Sequence, residues 1–145
     1  MPPFKLEPLD KMTSKITYTG KLRTSCEHIR SGNTFITDAP VDNNGLGEAF
    51  SPTDIVATGL GSCMITVMGI KANRLDVDLS GSTVEIIKHM ASEPRRIAKI
   101  EAKLMLPSDI SEKNRKILEH TANTCPVIYS LHSDIEKEIS FHWEL

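Results

Sequence analysis

The sequence predicts an α+β protein with an antiparallel sheet, folded as a single domain over residues 1–145. Two observations favour this class. Segments that alternate with period two, as half-buried strands do, lie before and after one long apolar segment that begins like a helix. Two shorter helical segments then precede a last strand. The order strands, helix, strands, helices, strand is typical of α+β folds, and no repeat or linker divides the chain.

The first third of the chain is predicted to form short strands after an N-terminal extension at residues 1–12. From residue 15, apolar Ile16 and Tyr18 alternate with polar neighbours, which indicates a strand that bends or turns near Gly20. The triplet "SGN" predicts a turn, "TFITDA" a further short strand, and "PVDNNGLGEAF" a loop rich in Asn and Gly.

The segment "SPTDIVATGLGSCMITVMGIKA" predicts a helix that runs to about residue 74. Ser51 can cap it, Pro52 suits its first position, and Asp54 completes a capping box of the Ser-x-x-Asp kind. Apolar residues occur on every side, which predicts a buried central helix. Three glycines cost about 1 kcal/mol each relative to alanine, so close approach of another helix or a ligand is expected there: Gly59, Gly61 and Gly69.

The second half predicts two strands, two helices and a closing strand. The strands are "STVEIIKHMA" and "RRIAKIEAKLMLP", the second of which is long and alternating. Ser111 caps a helix that runs to about Asn123, and Pro126 opens a short helix, "PVIYSLH". The chain then ends on the strand "EKEISFHWEL".

The composition excludes several classes of protein. Hydrophobic residues make up 39% and charged residues 25%, as in ordinary globular domains. A net charge of −2 and 5% aromatic residues argue against a nucleic-acid partner. The N-terminus has no signal-peptide pattern, and the longest uncharged run, residues 55–70, is shorter than the roughly 20 residues of a membrane span. We therefore expect a cytoplasmic protein without a membrane partner.

Three cysteines are the candidate reactive groups: Cys26, Cys63 and Cys125. Their odd number, wide spacing and lack of a CxxC pattern argue against a disulfide framework or a zinc site, and the histidines show no ligand spacing, so no metal is expected. Cys125 precedes Pro126 at a helix start, where free N–H groups can point at its sulfur. Cys63 lies in mid-helix, where a reactive thiolate would need a nearby cation. For both, plain packing is the alternative, and for Cys26 packing is favoured.

The sequence resembles the OsmC/Ohr family of thiol-dependent peroxide reductases. The motif "SPTDIVATGLGSC", followed some sixty residues later by "CPV", carries the resemblance, which covers the chain from about Ser14. By resemblance, Cys63 attacks the hydroperoxide and Cys125 resolves the product to a disulfide, which an external dithiol or lipoyl-type reductant reduces without a bound cofactor. The resemblance also implies an intertwined homodimer, with antiparallel sheets wrapped around long central helices and the sites at the subunit interface.

The sequence departs from the family pattern at the charged residues of the site. The family pairs an arginine with a glutamate that directly follows the helix-start proline, where this chain has Thr53. Asp54 is next, but it lies almost opposite Cys63 around the helix axis, whereas Thr53 lies roughly 80° away. Glu48, in the preceding loop, is a further possible acid. For the arginine, Arg23 is the candidate although its strand parity favours a solvated face, and the alternative is Arg30.

Two functions follow as hypotheses. In the first, the protein is an enzyme, a dimeric hydroperoxide reductase that uses Cys63, Cys125 and Arg23. In the second, the same dimer is a non-catalytic module that binds a small apolar ligand or senses redox state, and its cysteines serve packing or sensing. A third reading, a Cys–His acyl-transfer site, is disfavoured because His132 is about two helical turns beyond Cys125.

Overall fold

The computed structural model describes residues 12–145, so the predicted extension lies outside the described residues except for Met12. The chain divides between Thr53 and Asp54 into two compact units. The N-terminal unit is a sheet followed by a loop. The C-terminal unit contains nearly all of the long helix, a second sheet and the remaining helices.

The N-terminal unit is a three-stranded antiparallel sheet in the order of the sequence: β1 (Ser14–Gly20), β2 (Arg23–His28) and β3 (Thr34–Asp38). The predicted turn after Gly20 is a tight one, in which Lys21 and Leu22 both have positive φ. The predicted alternation is present, because Ile16 lies opposite Cys26 and Cys26 lies opposite Phe35 across the strands. The predicted loop follows and contains one short 3-10 helix, Val41–Asn43.

The C-terminal unit is arranged around the long helix, α1 (Pro52–Arg74), which ends where the sequence predicts. The other elements also agree with the sequence prediction: β4 (Thr83–Ala91), β5 (Arg96–Leu106), α2 (Glu112–Ala122), α3 (Pro126–Ser130) and β6 (Glu136–Trp143).

The prediction of an antiparallel sheet is wrong for the C-terminal unit. Its sheet has the order β4-β5-β6, in which β4 and β5 are antiparallel but β5 and β6 are parallel. The reason is the connection, because α2 and α3 carry the chain back before β6 begins. A crossover of this kind joins parallel neighbours, whereas a tight turn joins antiparallel ones. The sheet is therefore mixed.

One side of α1 forms the apolar core of the C-terminal unit. Leu60, Met64 and Met68 on that side are fully buried, together with Leu104 of β5 and Leu118 of α2. Other apolar residues of α1 are exposed in the single chain, including Val56 and Ile70. The helix is thus apolar on all sides, as predicted, but this unit buries only one of them.

Among the helix glycines, only Gly61 has an explanation within this unit. A Cβ added there would lie 2.9 Å from Ile86 Cδ1 and 3.0 Å from Val84 Cγ1, so its close neighbour is strand β4 rather than a helix or ligand. At Gly59 and Gly69 no described atom lies within 4 Å of that position. Those two glycines face open space in the single chain.

By length and composition alone, α1 could cross a membrane, and among the described residues it is the one helix that could. A core helix passes the same test, and the packing of Leu60 and Met64 in the core accounts for the apolar residues on the buried side of α1.

Candidate thiol site

The structure brings Cys63 and Cys125 together. Cys63 lies in the middle of α1, and Cys125 is the residue immediately before the first turn of α3. Both are free thiols, and Cys63 packs against the apolar core that contains Cys125, close enough to raise the pKa of the Cys125 thiol. Cys125 is fully buried, whereas Cys63 is partly exposed. The two thiols therefore share one site, in which only Cys63 is open to a reactant.

Local sequence places Cys125 at this site. Helix α2 ends at Ala122, and the Cys125 N–H donates to the carbonyl of Ala122 at 3.3 Å, which closes the turn. Cys125 is extended (φ −72°, ψ 152°) and Pro126 occupies the first turn of α3, as is usual for proline. Its side chain makes no capping hydrogen bond at the start of α3, although the backbone N–H groups of Ile128 and Val127 lie near enough to lower the pKa of the thiol.

Burial decides the ionisation of Cys125. Burial raises the pKa of its thiol, the N–H groups of Ile128 and Val127 lower it, and the neighbouring Cys63 thiol raises it further. The net direction is upward, so the position before the helix start does not activate this residue. Cys125 remains a protonated thiol at neutral pH and can donate its S–H to Cys63.

The N-terminal unit places Arg23 in an ion-pair cluster. Arg23 Nε donates to Asp38 Oδ1 at 2.7 Å and Nη2 donates to Asp38 Oδ2 at 2.8 Å, so the pair is bidentate. Arg23 Nη2 also lies 3.3 Å from Glu48 Oε2, and the Glu48 N–H donates to Asp38 Oδ2 at 3.1 Å. The Arg23 side chain is 29% exposed and a buried carboxylate faces it across the sheet, so this charge is partly solvated, as its strand parity predicts, and is also ion-paired.

Sequence reasoning missed Asp38, and the predicted turn would not have found it. The structure pairs Arg23 directly with Asp38, in a hairpin whose turn is centred between Arg30 and Ser31. The predicted turn "SGN" is centred on Gly32, so counting outward from it would have placed Val41 opposite Arg23. The bidentate hydrogen bonds from Arg23 hold the pKa of Asp38 below its usual range.

The other sequence candidates lie at different places. Thr53 Oγ1 is 3.2 Å from Ser51 Oγ, next to the helix start. Asp54 Oδ1 is 2.8 Å from Lys88 Nζ of β4, so its carboxylate has a partner on the sheet. Arg30 lies exposed in the turn after β2. Cys26 is partly buried, and its sulfur is 3.6 Å from Thr24 Oγ1.

No group of three His, Cys, Asp or Glu side chains within residues 12–145 is arranged to hold a metal ion. Two surface clefts of the C-terminal unit lie away from the cysteines. One is lined by residues that include Glu85, Glu101 and Lys103 on the sheet, and the other by residues that include His132 and Asp134.

The fold and the paired thiols define a class of small α+β proteins with one cysteine inside the long helix and a second at the start of a short one. Residues 45–140 match the family model described as OsmC-like protein. The chain belongs to this family. Comparison with curated proteins returns no match.

Solved structures agree with this assignment. A protein from Psychrobacter arcticus 273-4, provisionally named as an osmotic stress induced and detoxification response protein, is 50% identical over 90% of this chain and 96% of its own, with a TM-score of 0.88. OsmC from Legionella pneumophila, named an organic hydroperoxide resistance protein, is 15% identical (91% and 98% covered, TM-score 0.71). An organic hydroperoxide resistance protein from Elizabethkingia anophelis gives 15% identity, 92% and 97% coverage, and a TM-score of 0.71. At such identity these last two show the fold alone.

Proposed function

We propose that this protein reduces organic hydroperoxides with a pair of thiols in the cytoplasm. The observation that carries the proposal is the contact between a partly exposed Cys63 and a fully buried Cys125. A reactant from solvent reaches Cys63 first, which makes it the attacking residue. Cys125 is kept protonated beside it, as a resolving thiol should be until the first step is complete.

The reaction consists of two steps at the protein and a third with a reductant. The Cys63 thiolate attacks the O–O bond of ROOH, which yields Cys63 sulfenic acid and an alkoxide that takes up a proton to leave as the alcohol. The Cys125 thiol then condenses with the sulfenic acid, so a disulfide forms and water leaves. An external dithiol, of the lipoyl type, reduces that disulfide by exchange and is itself oxidised to its disulfide.

A positive charge is required to keep Cys63 ionised, and we assign it to Arg23. A guanidinium is always charged and presents a planar set of donors, which suits a thiolate. Its carboxylate partners in this chain are Asp38 and Glu48, rather than an acid after the helix-start proline.

We further propose that the active species is a homodimer. The N-terminal sheet exposes large apolar side chains on the face that carries Ile16, Tyr18 and Phe35, and Val56 and Ile70 are exposed on α1. Apolar area of this kind gains about 25 cal/mol per Å² when a partner covers it. A second copy would also face Gly59 and Gly69, which have open space in the single chain.

Thiol counting tests the redox proposal. Fully reduced protein mixed with one equivalent of cumene hydroperoxide should lose two thiols per chain within seconds. Cys63→Ser should lose none. Cys125→Ser should stop at a sulfenic acid on Cys63 that dimedone traps. Cys26→Ser is the matched control and should behave like the wild type, with one thiol fewer at the start. Equal loss of activity in the Cys63 and Cys26 variants, or no thiol loss in the wild type, would reject the enzyme and favour a binding or sensing module.

A further inference from the structure

A cleft of about 350 Å³ lies where β5 begins in the C-terminal unit. Strand β5 starts at Arg96, but β6 pairs with it only from Lys99 onward, opposite Glu136. The first residues of β5 are therefore left unpaired on the side of β6. The volume falls in the range of small-molecule pockets. The cleft is lined by residues of both segments: Arg96, Ile97, Ala98, His132, Asp134 and Ile135.

Arg96 keeps the edge of its guanidinium that binds carboxylates free. Its Nη1 donates to the carbonyls of Ser92 and Pro94 at 3.1 and 2.9 Å, which ties the side chain to the turn between β4 and β5. Among the described residues, no hydrogen bond or ion pair involves its Nε or Nη2. Arg23 of the other unit uses the same two atoms to bind Asp38, at 2.7 and 2.8 Å. Arg96 thus has an unused pair of donors for a bidentate contact with a carboxylate.

His132 provides a second donor, from the segment before β6. The backbone N–H of Asp134 donates to His132 Nδ1 at 3.0 Å, so the proton of the neutral ring is on Nε2. The carbonyl of His132 accepts from the N–H of Ile135 at 3.0 Å and from Lys137 Nζ at 3.3 Å. These three contacts order the segment around His132. In the part of the chain that the structure describes, no residue accepts from Nε2, which leaves this N–H for a ligand.

The rest of the lining indicates which anion fits. Ile97, Ala98 and Ile135 are apolar and partly buried, so an alkyl chain would leave water on binding there. Asp134 Oδ2 lies 3.7 Å from His132 Nδ1, on a side chain that is 86% exposed. This carboxylate repels a second negative charge in the cleft, which favours a monoanion over a dianion.

We propose that this cleft binds a small monocarboxylate with a short alkyl chain. The carboxylate accepts hydrogen bonds from Nε and Nη2 of Arg96 and from Nε2–H of His132, and the alkyl chain lies against the apolar lining. Binding requires neither Cys63 nor Cys125, so the site is independent of the proposed peroxide reduction.

Titration of the reduced protein with butanoate, followed in ¹H–¹⁵N NMR spectra, tests the site. The dissociation constant should be on the order of 1 mM, as suits so small a ligand. The largest shift changes should occur at the amides of Ala98 and Ile135. Acetate should bind about fivefold more weakly, because it buries two fewer CH₂ groups. Succinate, which has a second carboxylate in place of the methyl group of butanoate, should bind about tenfold more weakly.

Variants assign the contacts. Arg96→Gln should weaken butanoate binding about tenfold, and His132→Phe severalfold, because each loses donors to the carboxylate. Arg74→Gln is the matched control, since it removes the same charge from the end of α1, outside the cleft, and should leave the dissociation constant unchanged. Asp134→Asn should bring the affinity for succinate close to that for butanoate.

The same spectra show whether each variant is folded, and His132→Phe tests the site should Arg96→Gln fail to fold. Equal dissociation constants for Arg96→Gln and Arg74→Gln, or no shift at the cleft amides in a large excess of butanoate, would overturn the proposal. Equal affinity for butanoate and succinate in the wild type would overturn the assigned class of ligand. Thiol counting decides the peroxide proposal separately, because no thiol takes part in this binding.

Discussion

The two units of this chain bury opposite kinds of side chain. Within the described residues, every fully buried apolar side chain lies in the C-terminal unit, whereas the buried polar side chains Thr37, Asp38 and Ser51 all lie in the N-terminal unit. The C-terminal unit has an apolar core of its own, and the two thiols lie against it. Among the described residues, the N-terminal unit buries the carboxylate of the ion-pair cluster of Arg23, Asp38 and Glu48 and leaves apolar side chains of one sheet face exposed. Loss of an apolar side chain should therefore cost far more in the C-terminal unit than in the N-terminal one.

The largest effect expected from this contrast is on stability. Leu60→Ala should lower the free energy of unfolding by about 2–5 kcal/mol, because it leaves a cavity in the core of the C-terminal unit. Ile16→Ala, on a side chain that is 58% exposed, should cost less than about 0.5 kcal/mol if its face remains in water. Urea denaturation at low protein concentration measures both.

Protein concentration is the control for this first prediction. If a second copy covers Ile16, the loss of unfolding free energy in Ile16→Ala should increase with protein concentration. The loss in Leu60→Ala should be large at every concentration, because Leu60 is buried within the single chain. Equal costs for both variants at every concentration would contradict the contrast between the units.

The second effect concerns association. If the proposed dimer covers Ile16, Ile16→Glu should weaken association about 10- to 100-fold, because the burial of one isoleucine is worth about 1.5–3 kcal/mol. Sedimentation equilibrium measures the dissociation constant. Thr17→Glu, on the opposite face of the same strand, is the matched control and should leave it nearly unchanged. If both variants raise the dissociation constant equally, the apolar face of the N-terminal sheet is not the interface.

The sequence predicted the C-terminal unit well, apart from the direction of β6. Periodicity, the Ser111 cap and Pro126 are local signals, and each element that they predict is present. Strand direction is not local, since it depends on how the two helices between β5 and β6 return the chain. A pattern of alternating residues is the same in a parallel and an antiparallel strand, so it could not have corrected the error.

The site was predictable only in part, and for the same reason. Cys63 and Cys125 came from motifs, and the structure shows them in contact. Neither motif nor composition indicated that Asp38 binds Arg23, because that contact depends on the register of β2 and β3. Burial of Cys125 likewise depends on the three-dimensional packing, and it raises the pKa of that thiol despite the position before a helix start.

The third effect compares two glycines of α1 that the sequence cannot distinguish. Gly61→Ala should destabilise the protein by about 1 kcal/mol, since its Cβ would meet Ile86 and Val84 at 2.9 and 3.0 Å, and overpacking outweighs the gain in helix propensity. Gly59→Ala meets nothing within 4 Å and should stabilise the single chain by about 0.5–1 kcal/mol. Thermal unfolding measures both. Loss of stability in Gly59→Ala that grows with concentration would place a second helix against that glycine, and stabilisation by Gly61→Ala would contradict the packing on β4.

The smallest effect is the pH dependence of the ion pair in the N-terminal unit. The pKa of Asp38 is lowered below 3.8, chiefly by the hydrogen bonds from Arg23. A carboxyl with a lowered pKa contributes stability that is present above its unfolded pKa of about 4 and is lost as the pH falls through the folded value. The difference in unfolding free energy between the wild type and Asp38→Asn should therefore be largest above about pH 4 and shrink toward pH 2. Thr37→Val, at a buried neighbour that does not titrate, should give a constant difference over the same range. A difference for Asp38→Asn that stays constant, or grows in acid, would show that the carboxylate is not held in its charged form by Arg23.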